Sequence, residues 1–309
     1  MAGLGLYAGC MRIEPEISRA LAAGRPVVAL ESTVITHGLP RPLNLETARK
    51  LEAAVRQEGA LPATLAILKG EPRIGLSPED LEYLALDQGA EKASQWNLAA
   101  LVAQGKNAGT TVAATALLAH QAGIQVFATG GIGGVHYDAY DESGDLFALA
   151  HTPLVVVASG PKSILNLSAT LERLETYGVS LAGYRTGKMP AFHSSESPFS
   201  LPARAETPEE AARIFLAAKK LLASSLLLMN PVSEGLEYAQ VQAWVQEASQ
   251  QAARAGVQGK ALTPFLLRKL SELSGGETDR VNLLLLEENA RLAARVALAL
   301  SRLAASTRA

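Results

Sequence analysis

Short, continuously apolar runs alternate along the chain with longer segments of helical periodicity. The apolar runs are strand-sized and show no polar alternation, which is typical of strands covered on both faces of a sheet. They lie at residues 26–30, 63–68, 124–129, 153–158, 180–184 and 225–229. This alternation predicts an α/β fold with a mostly parallel central sheet flanked by helices.

Several helical segments carry recognisable start signals. Asn44 is a candidate N-cap for the helix that follows it, and Ser77 and Thr207 each precede a proline suited to the first helical position. From residue 238 to 305 the pattern is almost entirely helical. The run Leu283–Leu286 in this region is apolar on every side, so we expect its helix to be buried against the chain or another subunit. The sequence therefore predicts an all-helical C-terminal layer.

Composition narrows the class of protein. The 309 residues are 48% hydrophobic and 19% charged and contain no linker-like stretch, so we expect a single domain over 14–309. A net charge of −2 and the absence of a long apolar run exclude nucleic acid and membrane as expected partners. One cysteine, Cys10, suits a reducing cytoplasm. Residues 1–13 lack the early positive charge of a secretory signal, and we expect a disordered leader with Met11 as an alternative start.

Polar residues and glycines follow the apolar runs where the strands are expected to end. In open α/β sheets, ligands bind at the carboxyl ends of the strands, so these residues are expected to converge on one site. They are Glu31-Ser32-Thr33, the glycine cluster GGIGGVH at 130–136, Ser159-Gly160-Pro161-Lys162 and Asn230-Pro231.

Two of these residues have chemistry that suits catalysis. Glu31 at the end of a buried strand is partly desolvated and suited to acid–base work, although a lone glutamate is more commonly a cap or a surface carboxylate. Lys162 is expected at a strand end and in the first turn of a helix, where it would lose its proton easily. A neutral amine attacks carbonyls, whereas a charged one anchors phosphate. The residues alone leave both roles open.

Three further segments are candidates for binding ions. The glycine cluster at 130–136 offers backbone N–H groups to a phosphate, or forms a simple tight turn, and His136 is a hydrogen-bonding candidate within it. The helix start at Thr110-Thr111 is equally suited to an anion or to capping by the threonines. The acidic stretch DAYDESGD at 138–145 suits Mg²⁺ or Mn²⁺, and a solvated acidic loop is the commoner alternative.

Together these stretches resemble the pseudouridine-5′-phosphate glycosidase family, also called the indigoidine synthase A-like family. The resemblance extends over residues 14–300 and is carried by ALESTVITHGLPRPLN (29–44), TTVAATALLAHQAGIQVFATGGIGGVH (110–136), GPKSILNL (160–167), PAFHS (190–194) and TPFLLRKLSELSGG (263–276). Members reversibly cleave the C–C glycosidic bond of pseudouridine 5′-phosphate to give uracil and ribose 5-phosphate. The resemblance implies the same reaction for this chain.

The resemblance also implies roles for individual residues. Lys162 matches the lysine that forms a Schiff base with C1′ of the ring-opened ribose, and Glu31 matches the acid–base glutamate. One divalent metal per subunit, typically Mn²⁺, is implied at Asp141. A cytoplasmic homotrimer acting on a small-molecule substrate is implied as well. Substrate contacts are implied for Lys92, Val112, Thr129, His136, Ser143, Gly144, Asp145 and Asn282.

Two departures from the family pattern leave alternatives open. The loop before Asp141 is shorter than in the family, so Asp138 is a second candidate metal ligand. After Lys92 the family usually continues Val-Ser-Arg-Arg-Asp, whereas this chain has Ala-Ser-Gln-Trp-Asn at 93–97. A Schiff-base enzyme for another sugar phosphate or C-nucleotide is therefore one alternative. A non-catalytic sugar-phosphate-binding protein is another, although the presence of both Glu31 and Lys162 speaks against it.

Overall fold

The computed structural model of the protein describes residues 11–137, 141–257 and 262–306. A short π-helix, Val34–Gly38, follows the second strand. In chain order the strands are β1 (Arg12–Ile13), β2 (Val27–Leu30), β3 (Leu61–Leu68), β4 (Glu71–Ile74), β5 (Glu91–Ala93), β6 (Ala108–Thr110), β7 (Val126–Ala128), β8 (Val155–Ala158), β9 (Ser180–Tyr184), β10 (Arg204–Ala205) and β11 (Leu226–Met229). The α-helices are α1 (Pro15–Ala22), α2 (Leu43–Gln57), α3 (Pro78–Leu86), α4 (Leu98–Ala103), α5 (Val112–Gln121), α6 (Gly144–His151), α7 (Leu167–Thr176), α8 (Pro208–Leu221), α9 (Tyr238–Arg254), α10 (Leu262–Leu273) and α11 (Glu277–Ser306).

The strands form one mostly parallel sheet. Its order is β1-β4-β3-β2-β7-β8-β11-β9-β10, with β6 also pairing with β3 and β5 pairing with β6. Every pair from β3 through β2, β7, β8, β11, β9 to β10 is parallel, whereas β4 and β6 run antiparallel to β3. The predicted mostly parallel sheet is confirmed, and its carboxyl ends lie along one edge.

Both faces of the sheet are covered, because successive strand residues point to opposite sides. In β2, Val27 and Ala29 belong to an apolar cluster that includes residues of α1, α5, α6 and α7, whereas Val28 and Leu30 belong to a second cluster that includes residues of α2, α8 and α11. All four residues are buried. Continuous apolar strands therefore have apolar partners on both faces, as their sequence predicts.

The C-terminal region is helical, as predicted. Helix α11 packs across β2, β7 and β8 and beside α2 and α8, and α9 and α10 pack on each other around Ile164 and Leu165. Leu285 and Leu286 of the apolar run belong to α11 and are buried in the core. No helix among the described residues is long and apolar enough to cross a membrane.

The cap predictions are confirmed at two of three helices. Ser77 accepts a hydrogen bond from Asp80 N at the start of α3, and Thr207 accepts one from Glu210 N at the start of α8. The cap at Asn44 is wrong, because α2 already begins at Leu43. The amide of Asn44 is buried and donates instead to the carbonyls of Ile35 and Ala85, at 2.9 and 3.1 Å.

The predicted leader is too long at its C-terminal end. Arg12 and Ile13 form β1 and pair in parallel with Arg73 and Ile74 of β4. No sequence pattern predicts this pairing, because a strand of two residues is too short to show a hydrophobic period. Residues 1–10 lie outside the described part of the chain.

Candidate active site

Glu31 lies directly after β2, and both of its carboxylate oxygens are engaged. The hydroxyl of Thr33 donates to Oε2, and the hydroxyl of Thr129 donates to Oε1. Thr129 is buried and follows β7, the strand next to β2. Two neighbouring strand ends therefore fix the direction of this carboxylate, as expected from their position at one edge of the sheet.

Lys92 is electrostatically coupled to several predicted site residues. It lies in β5, and although the residue as a whole is exposed, surrounding protein removes water from its ammonium and lowers its pKa. The charge of Lys162 lowers this pKa further, while Asp145 and Glu31 oppose the effect. Such coupling requires these charges to lie near one another, so the fold brings together two lysines and two carboxylates that are distant in sequence.

Lys162 does not lie in the first turn of a helix, and that expectation is wrong. Helix α7 begins at Leu167, with Asn166 as its N-cap. Lys162 instead lies in a turn, where its N–H donates to Ile132 O at 3.1 Å. Gly160 shapes this turn with a φ of +81°, and a Cβ there would lie 2.0 Å from Pro190 O. Within the described residues the Lys162 ammonium makes no hydrogen bond or ion pair.

Asp145 joins the glycine cluster to the start of α5. Its Oδ2 accepts from Gly133 N at 2.8 Å and its Oδ1 from Ala113 N at 3.0 Å. A Cβ on Gly133 would lie 2.3 Å from Ser143 Oγ, so only glycine permits this approach. The buried Asp145 carboxylate thus holds the loop against the α5 N-terminus, where Thr111 caps the helix and Val112 is its first residue.

The acidic loop folds back on the glycine cluster. His136 N donates to Asp141 O at 2.9 Å, and Ser143 caps α6 by accepting from Asp145 N at 3.2 Å. Gly144 is the first residue of α6. His136, Ser143, Gly144 and Asp145 therefore lie around one loop.

The carboxylates of this loop differ in their partners. Glu142 pairs with Arg173 at 2.5 Å, whereas the half-buried Asp141 side chain makes no hydrogen bond to any described residue. Asp138, the alternative metal ligand, lies outside the described residues. In the described ranges no three His, Cys, Asp or Glu side chains cluster closely enough to hold a metal by themselves.

Asn282 lies on α11 and lines a cleft whose lining includes none of the other predicted site residues. The cleft has a volume of about 460 Å³ and is also lined by His37, Phe192 and His193. Desolvation lowers the pKa of His37, and the charge of Lys92 lowers it further. His37 is therefore a cleft residue within electrostatic reach of Lys92.

Asn289 is a site-building residue that the sequence analysis missed. It is completely buried, and its Nδ2 reaches Thr129 O at 2.9 Å and Ser159 Oγ at 3.1 Å. Its Oδ1 accepts from Asn230 Nδ2 at 3.0 Å. One side chain of α11 thus ties together the ends of β7, β8 and β11. An asparagine beside Leu285 and Leu286 on an apolar helix face was the available signal.

The segment after Lys92, where the chain departs from the family pattern, is held by hydrogen bonds of Asn97. Asn97 Oδ1 accepts from Ser94 N at 2.8 Å, and Asn97 Nδ2 donates to Lys92 O at 3.1 Å. A Cβ on Gly144 would contact Ser94 Oγ at 3.6 Å, so this segment borders the α6 N-terminus. Trp96 is 75% exposed.

The family model described as "Indigoidine synthase A like protein" matches residues 16–299. The chain belongs to this family. Among curated relatives, a pseudouridine-5′-phosphate glycosidase of Thermus thermophilus is 68% identical over 276 residues, which are 89% of this chain and 98% of the relative. A pseudouridine-5′-phosphate glycosidase of Sorangium cellulosum is 48% identical and covers 96% of both chains.

A solved structure extends the comparison to three dimensions. The prealnumycin C-glycosynthase AlnA, in complex with ribulose 5-phosphate, superposes with a TM-score of 0.89 at 39% identity, over 96% of this chain and 98% of that one. At this identity and score, the neighbour has the same α/β fold as this member of the indigoidine synthase A-like family.

Proposed function

We propose that this protein is a pseudouridine-5′-phosphate glycosidase, which reversibly converts pseudouridine 5′-phosphate and water to uracil and ribose 5-phosphate. One observation carries the proposal: Glu31 and Lys162, the residues that match the acid–base glutamate and the nucleophilic lysine, follow the ends of β2 and β8, and the charges of both act on the pKa of Lys92. The curated relatives named above bear the same activity in their names.

The proposed reaction begins with opening of the ribose ring. The Lys162 amine bonds to C1′ as the C1′–O4′ bond breaks, and Glu31 gives a proton to O4′. An ordinary glycosidase protonates the oxygen of its leaving group, but a base attached through carbon offers no such atom. Opening the ring lets nitrogen, a better electron donor, replace oxygen at C1′.

The second step releases the base. Glu31, now a carboxylate, removes a proton from the Lys162 nitrogen and passes it to C5 of the uracil. The C1′–C5 bond then breaks, and the freed nitrogen lone pair of Lys162 forms an iminium with C1′. Water then adds to the iminium and regenerates the amine and the aldehyde of open-chain ribose 5-phosphate. Hydrogen bonds from Thr33 and Thr129 hold the Glu31 carboxylate in one orientation. A fixed orientation suits a group that must both donate and accept protons during the reaction.

The phosphate end of the substrate is proposed to meet the paired starts of α5 and α6. Val112, Ser143, Gly144 and Lys92 border this region, and helix N-termini favour anions. Asp145 is proposed to act indirectly, because both of its oxygens already accept backbone N–H groups. It fixes the positions of those groups and offsets the charge of Lys92.

A divalent cation, Mn²⁺ for preference, is proposed at Asp141. The fit is favourable because this carboxylate has no hydrogen-bond partner among the described residues, whereas Glu142 is paired. A site with one carboxylate and several waters is common for hard cations that meet phosphates. The ion would neutralise charge on the sugar phosphate when bound.

The test of the proposal is trapping with borohydride and ribose 5-phosphate. We expect one reduced sugar phosphate per chain, located on Lys162 by peptide mapping, and release of uracil from pseudouridine 5′-phosphate in the same preparation. Lys162→Arg keeps the charge but cannot form an imine, so it should be inactive while still binding phosphate. Adduct on Lys92 with an active Lys162→Arg variant would refute the proposed nucleophile.

The proposed assembly is a cytoplasmic homotrimer. The family resemblance and the exposed apolar side chains of Leu221 and Leu222 at the end of α8 support self-association. Light scattering during size exclusion measures the mass directly. A monomer at micromolar concentration would remove this part of the proposal.

A second candidate, C-glycosylation of another aromatic ring, is favoured by two observations. The C-glycosynthase neighbour has the same fold over 96% of this chain, and this chain lacks the two arginines that usually follow the residue matching Lys92. Direct comparison of pseudouridine 5′-phosphate with other C-nucleotides separates the two functions.

A further inference from the structure

The turn that carries Lys162, residues 159–163, is held from two sides. On one side, Lys162 N donates to Ile132 O in the glycine cluster at 3.1 Å. On the other side, Phe192 N donates to Ser159 O at 2.8 Å. Among the described residues none bonds the Lys162 ammonium. The position of the amine therefore depends on how firmly the backbone of this turn is held.

Ser163, the residue after Lys162, joins this turn to a buried histidine. Its Oγ donates to Ala191 O at 3.1 Å and lies 2.9 Å from His193 Nδ1. Ser163 and His193 are 1% and 2% exposed. A hydroxyl has one hydrogen, so Nδ1 must carry the proton of the second bond. Burial lowers the pKa of His193 to about 3, so the ring is neutral and Nδ1–H is its one N–H donor.

The backbone of His193 is held by a further segment of the chain. Leu236 N donates to His193 O at 2.7 Å just before α9, and His193 N reaches Ser163 Oγ at 3.4 Å. The preceding residue, Phe192, has a φ of +58°, a left-handed conformation that an aromatic residue rarely adopts. Such a conformation costs free energy and persists where the surrounding structure enforces it, preferentially at functional sites. His193 is therefore a rigid support for the Ser163 hydroxyl.

We propose that Ser163 and His193 form a positioning pair for Lys162: the Nδ1–H group holds the Ser163 hydroxyl, and this hydroxyl holds the turn so that the Lys162 amine faces C1′ of the substrate. The inference rests on the proposed function, because it requires Lys162 to be the nucleophile. Neither residue of the pair needs to touch the substrate. A displacement of about 1 Å in a reacting group can lower a rate about a hundredfold. The pair therefore acts on the rate through the position of the amine.

The first test is the rate at which Lys162 forms its adduct with ribose 5-phosphate, measured by borohydride quenches at successive times. Ser163→Ala should slow adduct formation and lower kcat by about 10- to 100-fold, with a change in KM of less than about threefold. The final amount should remain one adduct per chain. A merely structural role predicts a different result, namely a smaller folded fraction by circular dichroism that still reacts at the parent rate.

Variants at His193 separate the Nδ1–H donor from the bulk of the ring. Asparagine can place an N–H near the Nδ1 position and leucine cannot, so His193→Asn should keep most of the parent rate and His193→Leu should be as slow as Ser163→Ala. The double variant should be no slower than the slower single one, because both changes remove the same link. Ser194→Ala is the matched control and should react as the parent does. Ser194 is 1% exposed, and its Oγ has no hydrogen-bond partner among the described residues.

A measurement on the parent protein keeps the proposal falsifiable if the variants fail to fold. Nitrogen-15 NMR of the histidine-labelled protein at neutral pH should show a neutral His193 ring with its proton on Nδ1. A charged ring, or one protonated on Nε2 alone, overturns the proposal. So does a folded Ser163→Ala variant that forms its adduct at the parent rate. Absence of the ribose 5-phosphate adduct on Lys162 in the parent would instead refute the proposed function.

Discussion

Replacing Asn289 by leucine removes the side chain that joins α11 to three strand ends. Leucine keeps the branch at Cγ but neither donates nor accepts a hydrogen bond. The replacement leaves the amide of Asn230, the carbonyl of Thr129 and the hydroxyl of Ser159 without this partner. All four residues are buried, so water cannot easily take its place.

The expected cost follows from the number of partners lost. A buried polar group left without a hydrogen bond costs about 1–3 kcal/mol, so three groups with partial relaxation should cost about 3–5 kcal/mol. This is a large part of the ~5–15 kcal/mol by which proteins of this kind are stable. Activity should fall as well, because Thr129 also orients Glu31. We expect kcat to decrease by about 10- to 100-fold with a smaller change in KM.

Urea unfolding followed by circular dichroism measures the first effect, and uracil release under saturating substrate measures the second. Ser301→Ala is the matched control, because Ser301 lies on the same helix and makes one hydrogen bond, to Gly24 O at 2.6 Å, at an exposed position. It should cost at most about 1 kcal/mol. An Asn289→Leu variant as stable and active as this control would refute the reasoning.

Three other predictions concern the acid–base residue, the metal ligand and the buried histidine. Glu31→Gln should lower turnover about a hundredfold or more without moving the urea midpoint, whereas a large loss of stability with normal specific activity would assign Glu31 a structural role. Exhaustive chelation should abolish turnover and Mn²⁺ should restore it, with Asp141→Asn needing about tenfold more Mn²⁺ for half-maximal rate; full activity in the chelated parent would contradict this. Because the unfolded chain binds a proton at His193 near its ordinary pKa of 6.5 and the folded chain only near pH 3, this group makes stability fall as pH drops from 6.5 towards 3. The slope is at most about 1.4 kcal/mol per pH unit and should be smaller in His193→Asn.

The sequence predicts the central sheet well because its strands are continuous apolar runs that are buried on both faces. The short strands of the antiparallel edge were not predicted. Glu91–Ala93 and Ala108–Thr110 have three residues each and no apolar run, so their pairing depends on neighbours that periodicity does not reveal.

The candidate site was predictable where it depends on strand ends and not where it depends on long-range pairs. Glu31 and Lys162 follow from the rule that ligands meet the carboxyl edge of a sheet. The local geometry of Lys162 was predicted wrongly, because Gly160-Pro161 has the sequence of a helix start, yet the backbone of Lys162 pairs with Ile132. Asn289 contacts Thr129, Ser159 and Asn230, and His193 contacts Ser163. These contacts join residues far apart in the chain, and no local sequence pattern encodes them.

The position of Asn289 also has a consequence for the order in which the protein is made. Its partners Thr129, Ser159 and Asn230 precede it by 160, 130 and 59 residues. During synthesis these strand ends leave the ribosome long before α11. The sheet edge that carries Glu31 therefore lacks the hydrogen bonds of Asn289 until α11 has been made. Nascent chains stopped before α11 are expected to contain β2, β7 and β8 yet remain inactive and prone to aggregation, since one face of those strands is still uncovered. We therefore expect the protein to become active only late in translation, when the last long helix, α11, has been made.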